Sequence, residues 1–199
     1  MFRAIRVCVG LIAICFAVMV HAQDFDAVKR AAENGNAIAQ YNLGVMYANG
    51  RGVPQNYTEA VKWFRKASEQ GNADARLNLG VAYANGWSIA KNYKEAAKLY
   101  RLAAEQGHAK AQLNLGLMHY EGQGVAKNDT EAMKWFRLAA EQGYAKAQFN
   151  LGLMYYEGQG VAKNDTEATK WFRLAAEQGD ARAQKGLEAI KKRTPGTLR

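Results

Sequence analysis

Small and apolar residues recur along this chain at the three- and four-residue spacing of a helical face, break at glycine, and then resume. In AKAQFNLGLMYYEG, residues 145–158, Ala147, Leu151, Met154 and Tyr155 share one face, which predicts an amphipathic helix. A second apolar pattern, Ala-x-x-Trp-Phe-x-x-Ala, predicts a partner helix. That helix opens at Asn56, Asn92, Asn128 or Asn164, each followed three residues later by Glu59, Glu95, Glu131 or Glu167, the spacing of a capping box. It closes at Gly71, Gly107, Gly143 or Gly179, where glycine admits the left-handed C-terminal turn. Gly44, Gly80, Gly116 and Gly152 fall in the middle of the first helix, where each costs about 1 kcal/mol relative to alanine. A cost repeated four times predicts close approach of a neighbouring helix. Trp63, Trp135 and Trp171 fall on the core face.

The pattern repeats every 36 residues without an insertion, over 36–71, 72–107, 108–143 and 144–179. The third and fourth copies differ only at His108/Tyr144, Leu113/Phe149, His119/Tyr155 and Met133/Thr169, and so contain the same stretch, YEGQGVAKNDTEA, twice. That stretch reads as a connector: its glycines release the chain from the first helix and its asparagine starts the second. It fails the phosphate-loop pattern, and no strand precedes it. Residues 23–35 match the second half of a copy and predict an N-terminal capping half-repeat. Residues 180–199 match the first half and predict a capping helix with a basic tail. A period of this length predicts an all-α solenoid, in which each helix pair buries its apolar side against the next.

Ahead of the repeats, Arg3 and Arg6 precede an apolar run, and Val20-His21-Ala22 suits a cleavage site, so residues 1–22 read as a signal peptide. Lipid attachment is the rival reading, but Cys8 and Cys15 lack a small residue before them. Cleavage near Ala22/Gln23 predicts a periplasmic or secreted protein. It also removes both cysteines, and with them any disulfide, thiolate metal site or cysteine nucleophile. Losing Arg3 and Arg6 lowers the formal charge from +9 to +7. The excess sits in the first two repeats and in the segment from Asp180, not in a stripe, which argues against nucleic acid as a partner. The basic tail permits contact with an acidic envelope surface.

The recurring A-x-A-Q-x-N-L-G-x-M-Y, G-x-G-V, E-A-x-x-W-F-R-x-A-A-E-Q-G series resembles the Sel-one-like repeat (SLR) family, a cousin of the tetratricopeptide repeat (TPR). The resemblance covers nearly all of the chain beyond residue 22. It implies a right-handed α-solenoid, a TPR-like superhelix of antiparallel helix pairs, acting as a scaffold or adaptor with no cofactor. It also implies a concave groove that binds a protein or peptide partner through Tyr41, Asn42, Asn78, Leu113, Asn114, Tyr120, Phe149, Asn150 and Tyr156. Val45, Val81, Leu117 and Leu153 fall on the same face or in the core. The asparagines either meet a peptide backbone or bridge adjacent repeats, since a carboxamide both donates and accepts. Copies one and two carry Ala-Asn (Ala48-Asn49, Ala84-Asn85) where copies three and four carry Tyr-Glu (Tyr120-Glu121, Tyr156-Glu157). In the second copy Gly86-Trp87-Ser88-Ile89 replaces the usual connector, so that loop is expected to differ in shape and to expose Trp87.

The competing functional class is an envelope enzyme acting on β-lactams or peptidoglycan, an activity credited to some cysteine-rich members of the resembled family. Ser88-Ile89-Ala90-Lys91 satisfies S-x-x-K, but S-D-N and K-T-G are missing and Ser88 sits in a connector. His108 and His119 are eleven residues apart, too far for a two-histidine metal helix, and His119 stands in a core tyrosine position. Asp129 and Glu131 mark a helix N-terminus, where they suit the dipole. No catalytic pair and no metal site emerges from the sequence.

Overall fold

The computed structural model describes residues 25–193, so the signal-peptide segment, the predicted cleavage point and the last residues of the basic tail lie outside the described residues. The chain divides into two compact units, one ending at Lys91 and the other starting at Asn92. The first unit contains α1 (25–33), α2 (Ala37–Asn49), α3 (Tyr57–Glu69) and α4 (Ala73–Asn85). The second contains α5 (Tyr93–Ala104), α6 (Ala109–Glu121), α7 (Asp129–Glu141), α8 (Ala145–Glu157), α9 (Asp165–Glu177) and α10 (Ala181–Arg193). No strand occurs among the described residues. Each helix packs on its sequence neighbour, α2 on α3 on α4 in one unit and α5 through α10 in the other. This is an α-solenoid built from antiparallel helix pairs, and α1 joins it by packing Phe25 edge-on against Tyr47 of α2, with ring centres 5.8 Å apart.

The helix boundaries follow from local chemistry. At α3, α5, α7 and α9 the carboxamide oxygen of Asn56, Asn92, Asn128 or Asn164 accepts from the backbone N–H of the glutamate three residues on, at 3.0–3.1 Å. Asn36 and Asn72 cap α2 and α4 in the same way, satisfying amides that the first helical turn leaves without partners. The first helix of each pair ends on a left-handed glycine, Gly122 at φ +71° for instance, whose N–H reaches back to the Met118 carbonyl.

Three of the four mid-helix glycines, Gly44, Gly116 and Gly152, are explained by what lies beside them. A β-carbon built on Gly116 would stand 2.6 Å from the Phe136 ring, and one on Gly152 would stand 2.7 Å from Phe172. Gly44 meets Phe64 equally closely, at 2.6 Å. Phe136 and Phe172 are among the most deeply buried side chains. The second helix of each of these pairs therefore lies against bare backbone of the first. The three core tryptophans are buried as their positions imply.

A second clamp links one repeat to the next through glutamine. Gln40 donates to the Ala32 carbonyl at 3.1 Å and accepts from Gln70 at 2.7 Å. Gln112 repeats this with Ala104 and Gln142, and Gln148 with Ala140 and Gln178. Gln40, Gln112 and Gln148 are buried, so each relay satisfies polar atoms that would otherwise be stranded. In the second repeat Arg76 takes the glutamine position, and its Nε donates to the Ser68 carbonyl at 3.4 Å.

The Gly116–Phe136 contact sets a direction for mutation. Alanine is the better helix former, yet its methyl must displace a fully buried ring, and overpacking of this kind costs about 1–3 kcal/mol. Urea unfolding of Gly116→Ala is expected to show a net loss within that range, whereas Gly107→Ala, where a β-carbon meets nothing within 4 Å, loses stability only through its φ of +86°.

Candidate functional site

In the first unit the face made by α2 and α4 is open. A cavity of about 350 Å³ lies there, with Tyr41, Val45, Ala48 and Asn49 of α2 on one side and Asn78, Val81 and Ala82 of α4 on the other. Its floor is Ala60, Val61 and Phe64 of α3, and its rim is Tyr57 and Trp87. Tyr41 packs on Phe64 with ring centres 6.0 Å apart and shares a hydrogen bond with the Asn78 side chain. Burial raises the Tyr41 pKa above its ordinary value, the Asp74 charge adds to this, and the Asn78 hydrogen bond opposes it.

The rim is shaped by one residue. Ser88, with φ +54°, is the non-glycine with positive φ among the described residues, and it stands in the position of Gly124 and Gly160. A β-carbon on Gly124 would fall 2.2 Å from the Tyr93 carbonyl oxygen, and one on Gly160 would fall 2.8 Å from Asp129. In those copies the connector lies directly on the start of the preceding second helix, an approach that a serine forbids. In the first unit the Trp87 ring lies instead beside Tyr57, centres 5.8 Å apart, leaving Trp87 47% and Tyr57 41% exposed. The expectation that this loop differs and displays Trp87 therefore holds.

In the second unit the corresponding positions are covered by the chain's own side chains. Phe149 packs on Phe172 at 5.7 Å, and the Arg182 guanidinium of α10 lies 4.2 Å above it. Tyr156 lies 6.4 Å from Phe172, between Lys163 at 5.6 Å and Arg193 at 4.5 Å. Arg193 also pairs with Asp165, and Arg182 with Asp180 at 2.6 Å, which holds the Asp180 carboxyl below its usual range. Tyr120 carries Lys127 at 5.7 Å.

Of the positions assigned to a groove from sequence, the structure brings Tyr41 and Asn78 together in the open cavity. Asn42 is exposed and does not line it. Leu113 is 5% exposed and belongs to the core of the second unit, because its aliphatic side chain packs among Phe136, Leu151 and their neighbours. Asn114 is half-buried and shares a hydrogen bond with Tyr100, whose pKa burial pushes up to about 12. Asn78 and Asn114 thus each face a tyrosine of the neighbouring repeat. Asn150 is half-buried, as are Phe149, Tyr120 and Tyr156. Sequence reasoning did not pick out Tyr57, which forms the rim; its signal was the aromatic residue where copies three and four have aspartate.

Ser88 is exposed and lies in an irregular connector, not at a helix start. Among the described residues no group of three or more metal-ligating side chains is assembled, and no helix is long and apolar enough to cross a membrane.

The Sel1 repeat family model matches residues 37–72, 73–108, 109–144 and 145–180. A protective antigen present in uropathogenic Escherichia coli, which displays an SLR fold, is 41% identical with a TM-score of 0.83, covering 85% of this chain and 36% of its own. A Sel1 repeat protein from Oxalobacter formigenes is 37% identical with a TM-score of 0.81, covering 89% of this chain and 73% of its own. A sel1-like repeat-containing protein of Acanthamoeba polyphaga mimivirus is 49% identical over 39 residues, 20% of this chain and 7% of that protein. The chain therefore spans about a third of the Escherichia coli antigen and a small fraction of the viral protein.

One buried titratable group stands apart from the cavity. His119 occupies the position that Tyr155 fills in the fourth repeat, where Arg137 donates to the Tyr155 hydroxyl at 2.6 Å. Here Arg101 Nη2 lies 3.3 Å from His119 Nε2, so the imidazole accepts and is neutral. Burial lowers the His119 pKa, the Arg101 charge lowers it further, and Glu131 and the Ala126 backbone oppose both. Because the unfolded chain binds the proton more readily, stability falls as pH drops below the unfolded value of 6.5 and continues to fall down to the folded one. His119→Tyr is expected to remove this dependence: thermal unfolding of variant and wild type should diverge increasingly from pH 7 to pH 5, and parallel curves would show that His119 is not responsible.

Proposed function

Since the chain belongs to the Sel1 repeat family, whose helical repeats serve as interaction scaffolds, we propose that it is an exported scaffold or adaptor holding a protein or peptide partner on the face made by the first helices. The observation that carries this reading is the open cavity of the first unit, whose walls are the first-helix positions Tyr41, Val45, Ala48, Asn49, Asn78 and Val81. Apolar walls supply contact area, and the Asn49 and Asn78 carboxamides can donate to and accept from an extended backbone. Export to the periplasm or beyond is supported by the basic-then-apolar pattern of residues 1–22. Contact between the basic end of the chain and an acidic surface is a secondary element of the proposal; Lys191 and Lys192 are exposed at the end of α10, whereas Arg193 is engaged by Asp165 and Tyr156.

The reading has two measurable consequences. A photo-crosslinking residue placed at Asn49 in the native host is expected to trap a discrete protein partner, while one at Lys62, on the exposed side of α3, traps none. Identical adducts from both positions, or none from Asn49, would overturn it. Purified protein is expected not to turn over nitrocefin; hydrolysis abolished by Ser88→Ala would return the enzyme class to the front.

A further inference from the structure

Building on the proposed partner-binding face, we infer that the cavity of the first unit is a vacant ring socket that takes one uncharged aromatic side chain, phenyl or phenol, from an extended partner segment. The chain itself shows what this space accepts. In the fourth repeat three rings cluster: Phe149 on Phe172 at 5.7 Å and 33°, and Tyr156 on Phe172 at 6.4 Å. The first repeat keeps the first pair almost unchanged, Tyr41 on Phe64 at 6.0 Å and 37°. The third ring is missing, because the position of Tyr156 is occupied by Ala48. Ala48 and Phe64 both line the cavity that results.

Size and charge narrow the occupant. An apolar cavity of roughly 150 Å³ holds a benzene-sized ring, so about 350 Å³ admits a ring together with the backbone that carries it. Lys127 and Lys163 sit above the Tyr120 and Tyr156 rings, but the matching position in the first repeat is Gln55. Its Nε2 donates to the Ala48 carbonyl at 2.7 Å and to the Tyr57 hydroxyl at 3.1 Å, so the rim is neutral. Among the described residues no charged side chain lines the cavity, and the charge of Asp74, which acts on the Tyr41 wall, is negative, so an inserted carboxylate would lose its water without gaining a counter-ion. Trp87 stands where copies three and four have Gln123 and Gln159, adding an aromatic wall at the mouth against which a guest ring can pack edge-on or offset.

The test titrates acetyl-Gly-Gly-X-Gly-Gly-amide peptides, with X as Tyr, Phe, Leu, Ala, Glu or Lys, into isotope-labelled full chain while the Trp87 indole N–H and the Asn49 and Asn78 carboxamide signals are followed. The Tyr and Phe peptides are expected to shift these signals saturably and to bind about tenfold or more tighter than the others, a difference of about 1.4 kcal/mol. Ala48→Tyr installs the ring used at positions 120 and 156 and is expected to abolish the shifts. Trp87→Gln, a rim change that leaves the buried packing untouched, is expected to weaken binding severalfold. Equal or tighter binding of the Leu, Glu or Lys peptide, no saturable shift, or wild-type affinity in both variants would overturn the socket. Placing Ala48→Tyr in the Asn49 crosslinking background separates the two proposals. An adduct that persists sinks the socket and leaves the scaffold standing, whereas no adduct in wild type sinks the scaffold while the peptide titration still decides the socket.

Discussion

In the first, third and fourth helix pairs a phenylalanine ring occupies the volume that a β-carbon of the facing helix would need. Phe64 lies against Gly44, Phe136 against Gly116 and Phe172 against Gly152, with Phe172 also meeting Gly186 of α10. Interiors packed to crystal density tolerate no added methyl at such a contact, so the two helices of a pair have one depth of approach and one register. The strict spacing of the copies follows, since an inserted residue would move a side chain into the ring. The connectors are held to the same tolerance: Gly124 and Gly160 lie on backbone where any larger residue would collide.

With the pair geometry set by glycine and phenylalanine, the surface between successive first helices is left to vary, and the two units use that freedom differently. In the second unit tyrosine, lysine and arginine side chains of the chain itself cover the ring cluster, with Arg182 and Arg193 of α10 stacked on Phe149 and Tyr156. Alanine at position 48 and glutamine at position 55 leave the same ring pair of the first unit uncovered and uncharged. Ser88 replaces the glycine of the other connectors, and here the connector meets the start of α3 through the ring of Trp87, which lies beside Tyr57. Repetition supplies the frame, and departures from it create the opening.

Buried polar contacts divide between two amide types. Asparagine recurs in the first helix as a ladder, and Asn78 and Asn114 face tyrosines of the neighbouring repeat. The more regular tie is the glutamine relay, in which one buried carboxamide receives from a second and donates to a backbone carbonyl eight residues back. Both glutamines are in plain view in the recurring Ala-Gln and Glu-Gln-Gly pairs. Their partnership is not, because it joins residues 30 positions apart through a register that only packing establishes.

The helices, their caps, the 36-residue period and the buried tryptophans were legible in the amino-acid order, because each is set by neighbours within a few residues or by the repeat of a local pattern. The mid-helix glycines signalled a close approach, but the phenylalanine that makes it lies 20 residues away on the facing helix. The sequence also singled out the connector at Trp87, whose residues break the repeat. Tertiary structure alone decided which first-helix positions are open. Leu113 and Tyr41 hold the same repeat position, yet one is sealed in the core and the other borders a cavity. That difference depends on the side chains that adjacent helices bring alongside: Leu113 is enclosed in the core around Phe136 and Leu151, whereas Tyr41 meets Phe64 beside the small Ala48. Although the residue types stand in the sequence, which of them meet is set by packing.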